Sequence, residues 1–442
     1  MKKCFYISLA LFINILFFFT SCSPSVSGLE YPHILSECEI QDMGITQKDE
    51  TNSKENTMVF ETKQGHAAYY YAYPVYDQGN NQATFTPQNT ASEWLRLFPG
   101  HSKQLNTLGH KWLFPDDLNA EKEIVGIMDN GNLIHISYLG ENQAKGSVTV
   151  AENAFGEERE QLVYEGEKKI SFYSSLTGFF TEIPINYSDE ANIVEFLITT
   201  DYITIGKPTE YYVPFVSGDE NDSIQYIFQA CAIVDQTGAF YEYTLSAERV
   251  TENQYKIKCC FSENEDMKYP ATLVCSFEKY SEKAIIDSEA NSKNKNVYLK
   301  SYSLLGNNGT RESANLFVRF STSNLPENID SRKIQSVKLR IKHLGGEALP
   351  LSARLVNESW CSVTLTQSTS PPLGVRLGEA RPDDSGYYNI DITDLYKQFL
   401  AEDVLKITEY GVCISADNSE KSVVIPTADN SLYPIAVVLA YS

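Results

Sequence analysis

The sequence predicts an all-β protein built from tandem antiparallel β-sandwiches. Three observations carry that expectation. Aromatic residues make up 12% of the 442-residue chain, with 28 Tyr and 22 Phe against 5 Met, and Tyr, Phe, Thr, Val and Ile suit a half-buried pleated surface better than a helix. Short apolar or alternating runs follow one another with turn-forming residues between them: KISFYSSL, NIVEFLITT, TEYYVPFV, IQYIFQACAIV, FYEYTLSAERV, QYKIKCCF and ATLVCSFEKY. The C-terminal third has one stretch with helical spacing, TDLYKQFLAED, which places Leu395, Phe399 and Leu400 on one side behind a candidate Thr393 cap. The length exceeds one core, since about 100 to 200 residues per domain gives two or three domains.

The N-terminus reads as an export signal. Lys2 and Lys3 precede an apolar run from Phe5 to Phe19, then small residues and Cys22. Residues 1–21 resemble a bacterial lipoprotein signal, which implies that Cys22 becomes the acylated first residue and that a lipid anchor makes the membrane a partner. The polar, aperiodic residues 22–57 are expected to form a flexible tether, and the Asn- and Ser-rich residues 283–295 a linker. Between them, residues 58–282 form a β-rich region of one or two sandwiches. A formal net charge of −22 repels phosphate backbones and excludes nucleic acid as a partner class.

No catalytic or metal motif emerges. The six histidines lack the spacing of paired helical ligands; His101 and His110 are expected on the surface or in loops. There is no nucleophile elbow, dinucleotide fingerprint or P-loop, so no cofactor is expected. The acidic stretch SGDENDS, 217–223, offers oxygen ligands for calcium, but Ala230 stands where an EF-hand needs its twelfth-position acid, and a solvated hairpin turn is the simpler expectation. Cys259 and Cys275 share strand faces with apolar residues and are expected in a core; a disulfide between them, or between Cys361 and Cys413, is compatible with export. In HAAYYYAYPVYD, Tyr69, Tyr71 and Tyr73 line one face of an extended chain, as a stacking row or as strand packing.

After Asn296 the alternation tightens. Leu316, Val318 and Phe320 face one way; Val337, Leu339 and Ile341 do the same in the next strand, with Lys338, Arg340 and Lys342 opposite. Residues 296–442 resemble the DNRLRE (disaggregatase-related repeat) domain family in the order of their phrases. These are a Phe-bearing strand with a short "LP" turn, Phe320 to Pro326; an Ile/Val strand, Ile334 to Ile341; Trp360 before Thr364 and Pro371; and Asp391 to Thr393 before a short helix. Cys361, Ser362 and Leu365 depart from the acid and second Trp usual there. The resemblance implies a jelly-roll-like sandwich of extracytoplasmic proteins, in some cases carbohydrate-binding. Residues 165–280 resemble the β-rich segment that precedes such domains in RHS-type and wall-associated surface proteins.

These readings predict a non-catalytic bacterial surface lipoprotein for adhesion or glycan binding. Trp360, Tyr387, Tyr388, Tyr298 and Tyr302 are the candidate ligand-binding aromatics, because a flat ring with a polar tip suits a sugar. Trp360 packed into the fold is the competing expectation, as are a turn and cap for Asp391 and Thr393. The alternatives are a structural or protein-interaction module of an RHS-like assembly and a polysaccharide-degrading enzyme with its site in 58–282.

Overall fold

The structure, a computed structural model, describes residues 37–442 except 50, 54–55, 73–84, 88–96, 108–109, 120–121, 129–130, 141–143, 176, 187–192, 201, 218–222, 263–265, 281–284, 292–295, 298–299, 307–313, 321–330, 403–409 and 417–420. The described residues are almost all β, in five sheets.

One ten-stranded and one eight-stranded antiparallel sheet form the first sandwich, over residues 85–279. The larger sheet runs Ile203–Ile205, Tyr212–Ser217, Ile224–Asp235, Ala271–Lys279, Gly178–Ile185, Lys169–Ser174, Glu158–Glu165, Ala144–Glu152 and Asp117–Leu118, with Phe240–Tyr241 paired off its third strand. Phe172, Phe179, Phe228 and Phe277 from this sheet meet Trp112, Phe114, Ile136 and Phe196 from the other in one core. Within the region 58–282, expected as one or two sandwiches, residues 85–279 form one, and the strands up to Tyr71 belong to the other sandwich.

Two six-stranded sheets form the second sandwich. One carries Ile45–Lys48, Thr57–Thr62, Gly65–Tyr71, Ala436–Tyr441, Ile334–Lys342 and Tyr387–Asp391; the other carries Asn296–Val297, Ile285–Asn291, Ala314–Phe320, Val412–Ala416, Leu351–Val356 and Leu373–Ala380. Leu316, Val318, Val337, Leu339, Ile341 and Leu439 fill the space between them.

Two expected boundaries are corrected. From Glu37 onward the presumed tether is folded: helix Glu37–Met43 and strands Ile45–Lys48 and Thr57–Thr62 join the second sandwich. Ile40, Met43, Ile45, Met58 and Phe60 pack there with Tyr69 and Tyr71; the polar residues between them mask an amphipathic pattern. The presumed linker 283–295 contains the strand Ile285–Asn291, paired along its length with Ala314–Phe320. Its acids misled because composition treats them as solvent-facing, whereas Asp287 and Glu289 are buried. The second sandwich is thus discontinuous, with residues 37–72 and 285–442 flanking the first in sequence.

Tyr69 and Tyr71 stack at 6.2 Å between centroids inside this packing, so the tyrosine row is strand packing; Tyr73 lies outside the described residues. Cys231, Cys259, Cys260, Cys275, Cys361 and Cys413 are free thiols, with Cys259, Cys275 and Cys413 buried and Cys361 exposed. No disulfide links Cys361 to Cys413 or Cys259 to Cys275.

Candidate functional site at the seam between the sandwiches

The outer face of the ten-stranded sheet is covered by the second sandwich. Tyr173, Phe180, Ala232, Val234 and Val274 pack there against Tyr302, Leu344, Val424, Leu432 and Tyr433. This explains why IQYIFQACAIV reads as a continuous apolar run instead of an alternating one: both faces of its strand are buried. A register shift between Ala230 and Ala232 lets Tyr226, Phe228 and Ala230 face the core while Ala232 and Val234 face the seam.

Ionisable groups are buried along this seam. Glu278, 1% exposed, accepts hydrogen bonds from Ser175 Oγ at 2.7 Å, Thr177 Oγ1 at 3.1 Å, Ser276 Oγ at 3.1 Å and, from the second sandwich, Ser431 Oγ. Burial raises its pKa, the hydroxyls opposing that shift. On the same sheet face Glu182 accepts the Ala154 N–H at 2.7 Å, and burial pushes its carboxyl up to about 7. Residues 427–433, a loop buried throughout, are held by Asp287 Oδ2, which accepts the Ala428 N–H at 2.6 Å, and by Asn430 Oδ1, which accepts from Leu432 and Tyr433.

Cations bridge the two halves. Lys300 Nζ, from the second sandwich, lies 2.5 Å from Glu242 Oε1 of the first and 3.8 Å from Glu289 Oε2. Lys342 Nζ lies 2.9 Å from Glu157 Oε1, and Arg159 shares that carboxylate at 3.4 Å. The two bridging lysines and the Glu278 carboxylate are occupied by partners from within the chain, so their chemistry is that of a clamp.

The candidate aromatics are part of the same packing. Trp360 is 7% exposed; it donates Nε1–H to Tyr410 O at 2.7 Å, sits edge-on to Phe317, and has the Arg319 guanidinium 5.2 Å from its ring centroid. It covers the outer face of the sheet at Phe317. Tyr387 is 7% exposed, with Arg340 3.5 Å and Lys342 4.7 Å from its centroid. Tyr302 has Lys300 at 4.7 Å, and the buried Tyr388 donates its hydroxyl to Leu349 O at 3.0 Å. The expectation of open stacking platforms is corrected at these four positions, because buried polypeptide and the chain's own cations occupy the rings. Tyr298, Cys22 and the core of the acidic loop 218–222 lie outside the described residues; Ser217 and Ser223 at its base close a hairpin through their hydroxyls at 3.0 Å.

Asp391 and Thr393 form a local turn that fastens one strand to the next. Asp391 Oδ1 accepts from the Thr393 N–H at 2.8 Å and its hydroxyl at 2.6 Å, and Thr393 Oγ1 accepts the Val337 N–H at 2.9 Å. His101 lies in a loop, as one alternative expected, and His110 opens the strand His110–Phe114; neither is on the surface, since both are buried. His101 Nε2 bonds the Glu123 carbonyl at 2.8 Å, and His110 meets Tyr226 OH inside the core. Glu123 also pairs with His135 Nδ1 at 2.7 Å, which holds its carboxyl below the usual range. Among the described residues no group of three or more His, Cys, Asp or Glu is placed to hold a metal.

The sequence reading missed Glu182, Glu278, Lys300 and the buried role of Arg340. For Glu182 and Glu278 the available signal was an acid inside a largely apolar strand, as in GFFTEIPI and ATLVCSFEK; the alternating charges of IQSVKLRIK gave none for Arg340, and Lys300 lies outside any strand. Comparison with known protein families and with curated proteins returns no match for this chain.

Proposed function

We propose that this chain is the non-catalytic, lipid-anchored interaction module of a bacterial surface, and that its partner is a protein. The observation that carries this reading is the occupation of Trp360, Tyr387, Tyr388 and Tyr302 by the fold's own side chains and backbone, which leaves recognition to the strand edges and outer faces. The N-terminal signal ending at Cys22 supports export and acylation. The broad seam supports a role in which two sandwiches present their surfaces as one body.

Affinity electrophoresis of residues 22–442 through gels of acidic and neutral polysaccharides tests the partner class. Unretarded migration in every gel is expected. Retardation by one polysaccharide, lost in a folded Trp360→Ala protein, would return the function to glycan binding. Cys22→Ser tests the anchor: it is expected to release the protein from the membrane fraction, and retention there would refute acylation at Cys22.

A further inference from the structure

The strand Ala144–Glu152 lies second from the edge of the ten-stranded sheet, but its outer neighbour, Asp117–Leu118, pairs only with Ala144 and Lys145. Gly146 gives its N–H outward to Asp116 O at 2.8 Å, while Asn153 turns its N–H inward to Glu157 O. Alternation along the strand therefore puts the N–H and C=O of Val148 and Val150 on the outer edge. Among the described residues no backbone group meets them; the Val150 carbonyl has only a 3.5 Å contact from the Thr149 hydroxyl. Their side chains are 41% and 66% exposed.

Other edges of these sheets are blunted in the ways that keep strands from adding. Leu373–Ala380 is bulged against its neighbour at two places, Ile203–Ile205 and Phe85–Pro87 are three residues long, Ile45–Lys48 has a register shift, and Thr244–Arg249 ends in Glu248 and Arg249. Ser147 to Ala151 has none of these devices: it is regular, uncharged and rich in β-branched residues.

Charge identifies the occupant. Glu152 and Glu158 are direct cross-strand partners, both exposed, on the face that carries Val148 and Val150, and like charges so placed repel. Arg159 is turned to Glu157 and Lys145 falls on the opposite face, so among the described residues neither glutamate has a cation. A second copy pairing through this same edge would bring no cation to that face, its residues there being Gly146, Val148, Val150 and Glu152, and each copy carries a net −22.

We propose that this edge is a docking site for an extended segment of another protein, apolar or β-branched in its middle, with a Lys or Arg where it passes Glu152 and Glu158. Main-chain hydrogen bonds to Val148 and Val150 supply the pairing, and the glutamate pair sets its register. The inference rests on the reading of a protein-binding module, and the two fail separately: polysaccharide retardation tests the module, strand addition tests the edge.

The test uses residues 22–442 and the synthetic peptide acetyl-Arg-Ser-Val-Thr-Val-Ser-amide, with a Glu-headed analogue beside it, followed by fluorescence anisotropy. The Arg-headed peptide is expected to bind, and the Glu-headed one at least about tenfold more weakly. Val150→Pro removes the outward N–H while sparing the ladder to Glu158–Glu165; with an unchanged circular dichroism spectrum it should lose at least about tenfold in affinity. Val148→Lys/Val150→Lys, which keeps the backbone, should do likewise should the proline variant not fold. Absence of binding, equal binding of both peptides, or full binding by folded variants overturns the proposal. A wild-type dimer in light scattering that Val150→Pro converts to monomer would also overturn it, assigning the edge to a second copy.

Discussion

Glu39 and Arg340, 301 residues apart in the chain, meet as a two-point ion pair in the second sandwich, with Arg340 Nη2 2.7 Å from Glu39 Oε2 and Nε on Oε1. Arg340 is 2% exposed and lies against Tyr387. The pair makes the N-terminal helix Glu37–Met43 part of the fold.

Removing one partner leaves the other charge buried alone. Glu39→Ala is expected to destabilise the protein by about 3–5 kcal/mol in urea titration. The double change Glu39→Leu/Arg340→Met should lie closer to wild type than either single change, because it buries no unpaired charge. Equal losses in single and double variants would mean that the contact, and not the charge, matters.

Residues 296–442 alone should not fold. They lack Gly65–Tyr71, which pairs with Ala436–Tyr441, and Ile285–Asn291, which pairs with Ala314–Phe320, so two central strands lose their hydrogen-bonding neighbours. A poorly dispersed amide NMR spectrum is expected from that fragment, and a fully dispersed one would show the C-terminal third to be autonomous.

Stability should decline from mildly acidic toward neutral pH. The Glu182 carboxyl is raised from 4.5 to about 7 in the fold, so folding favours its protonated form. That contribution is complete below about 4.5, the unfolded value, and is lost as pH rises through about 7, with a slope of at most about 1.4 kcal/mol per pH unit. Glu182→Gln should flatten the melting temperature between these limits and raise it at pH 8. An unchanged pH profile in the variant would locate the dependence elsewhere, with Glu278, also raised, the next group to change.

Trp360→Ala should cost about 3–5 kcal/mol, as expected for emptying a buried aromatic site. It uncovers Phe317 and Arg319 and leaves the Tyr410 carbonyl without its donor. A loss below about 1 kcal/mol would indicate that the ring is loosely held and available to a ligand.

Gly126 faces Trp112 across the eight-stranded sheet, and the indole ring occupies the space that a side chain would take. Gly126→Val should lower stability by about 1–3 kcal/mol through overpacking, read as a fall in the chemical-denaturation midpoint. A neutral outcome would show that Trp112 can move aside within the core.

Much of the strand content was legible because strand formation here depends on neighbours two residues apart. Val337, Leu339 and Ile341 read as one buried face and are one; Cys259 and Cys275 read as core residues and are buried. The same period misplaced Arg340, which shares its side of the strand with Lys338 and Lys342 but is enclosed by Glu39 and Tyr387. Trp360 could be read as a ligand platform or as packing, since its sequence neighbours do not contain Phe317, Arg319 or Tyr410.

By itself the sequence determined the all-β class and the alternation of its strands, because each depends on residues close together in the chain. Only the tertiary structure decided that residues 37–72 complete the C-terminal sandwich and that the two sandwiches share a buried seam. It alone decided which charges are enclosed: burying a carboxylate requires donors, and those reaching Glu278 include Ser431, 153 residues away.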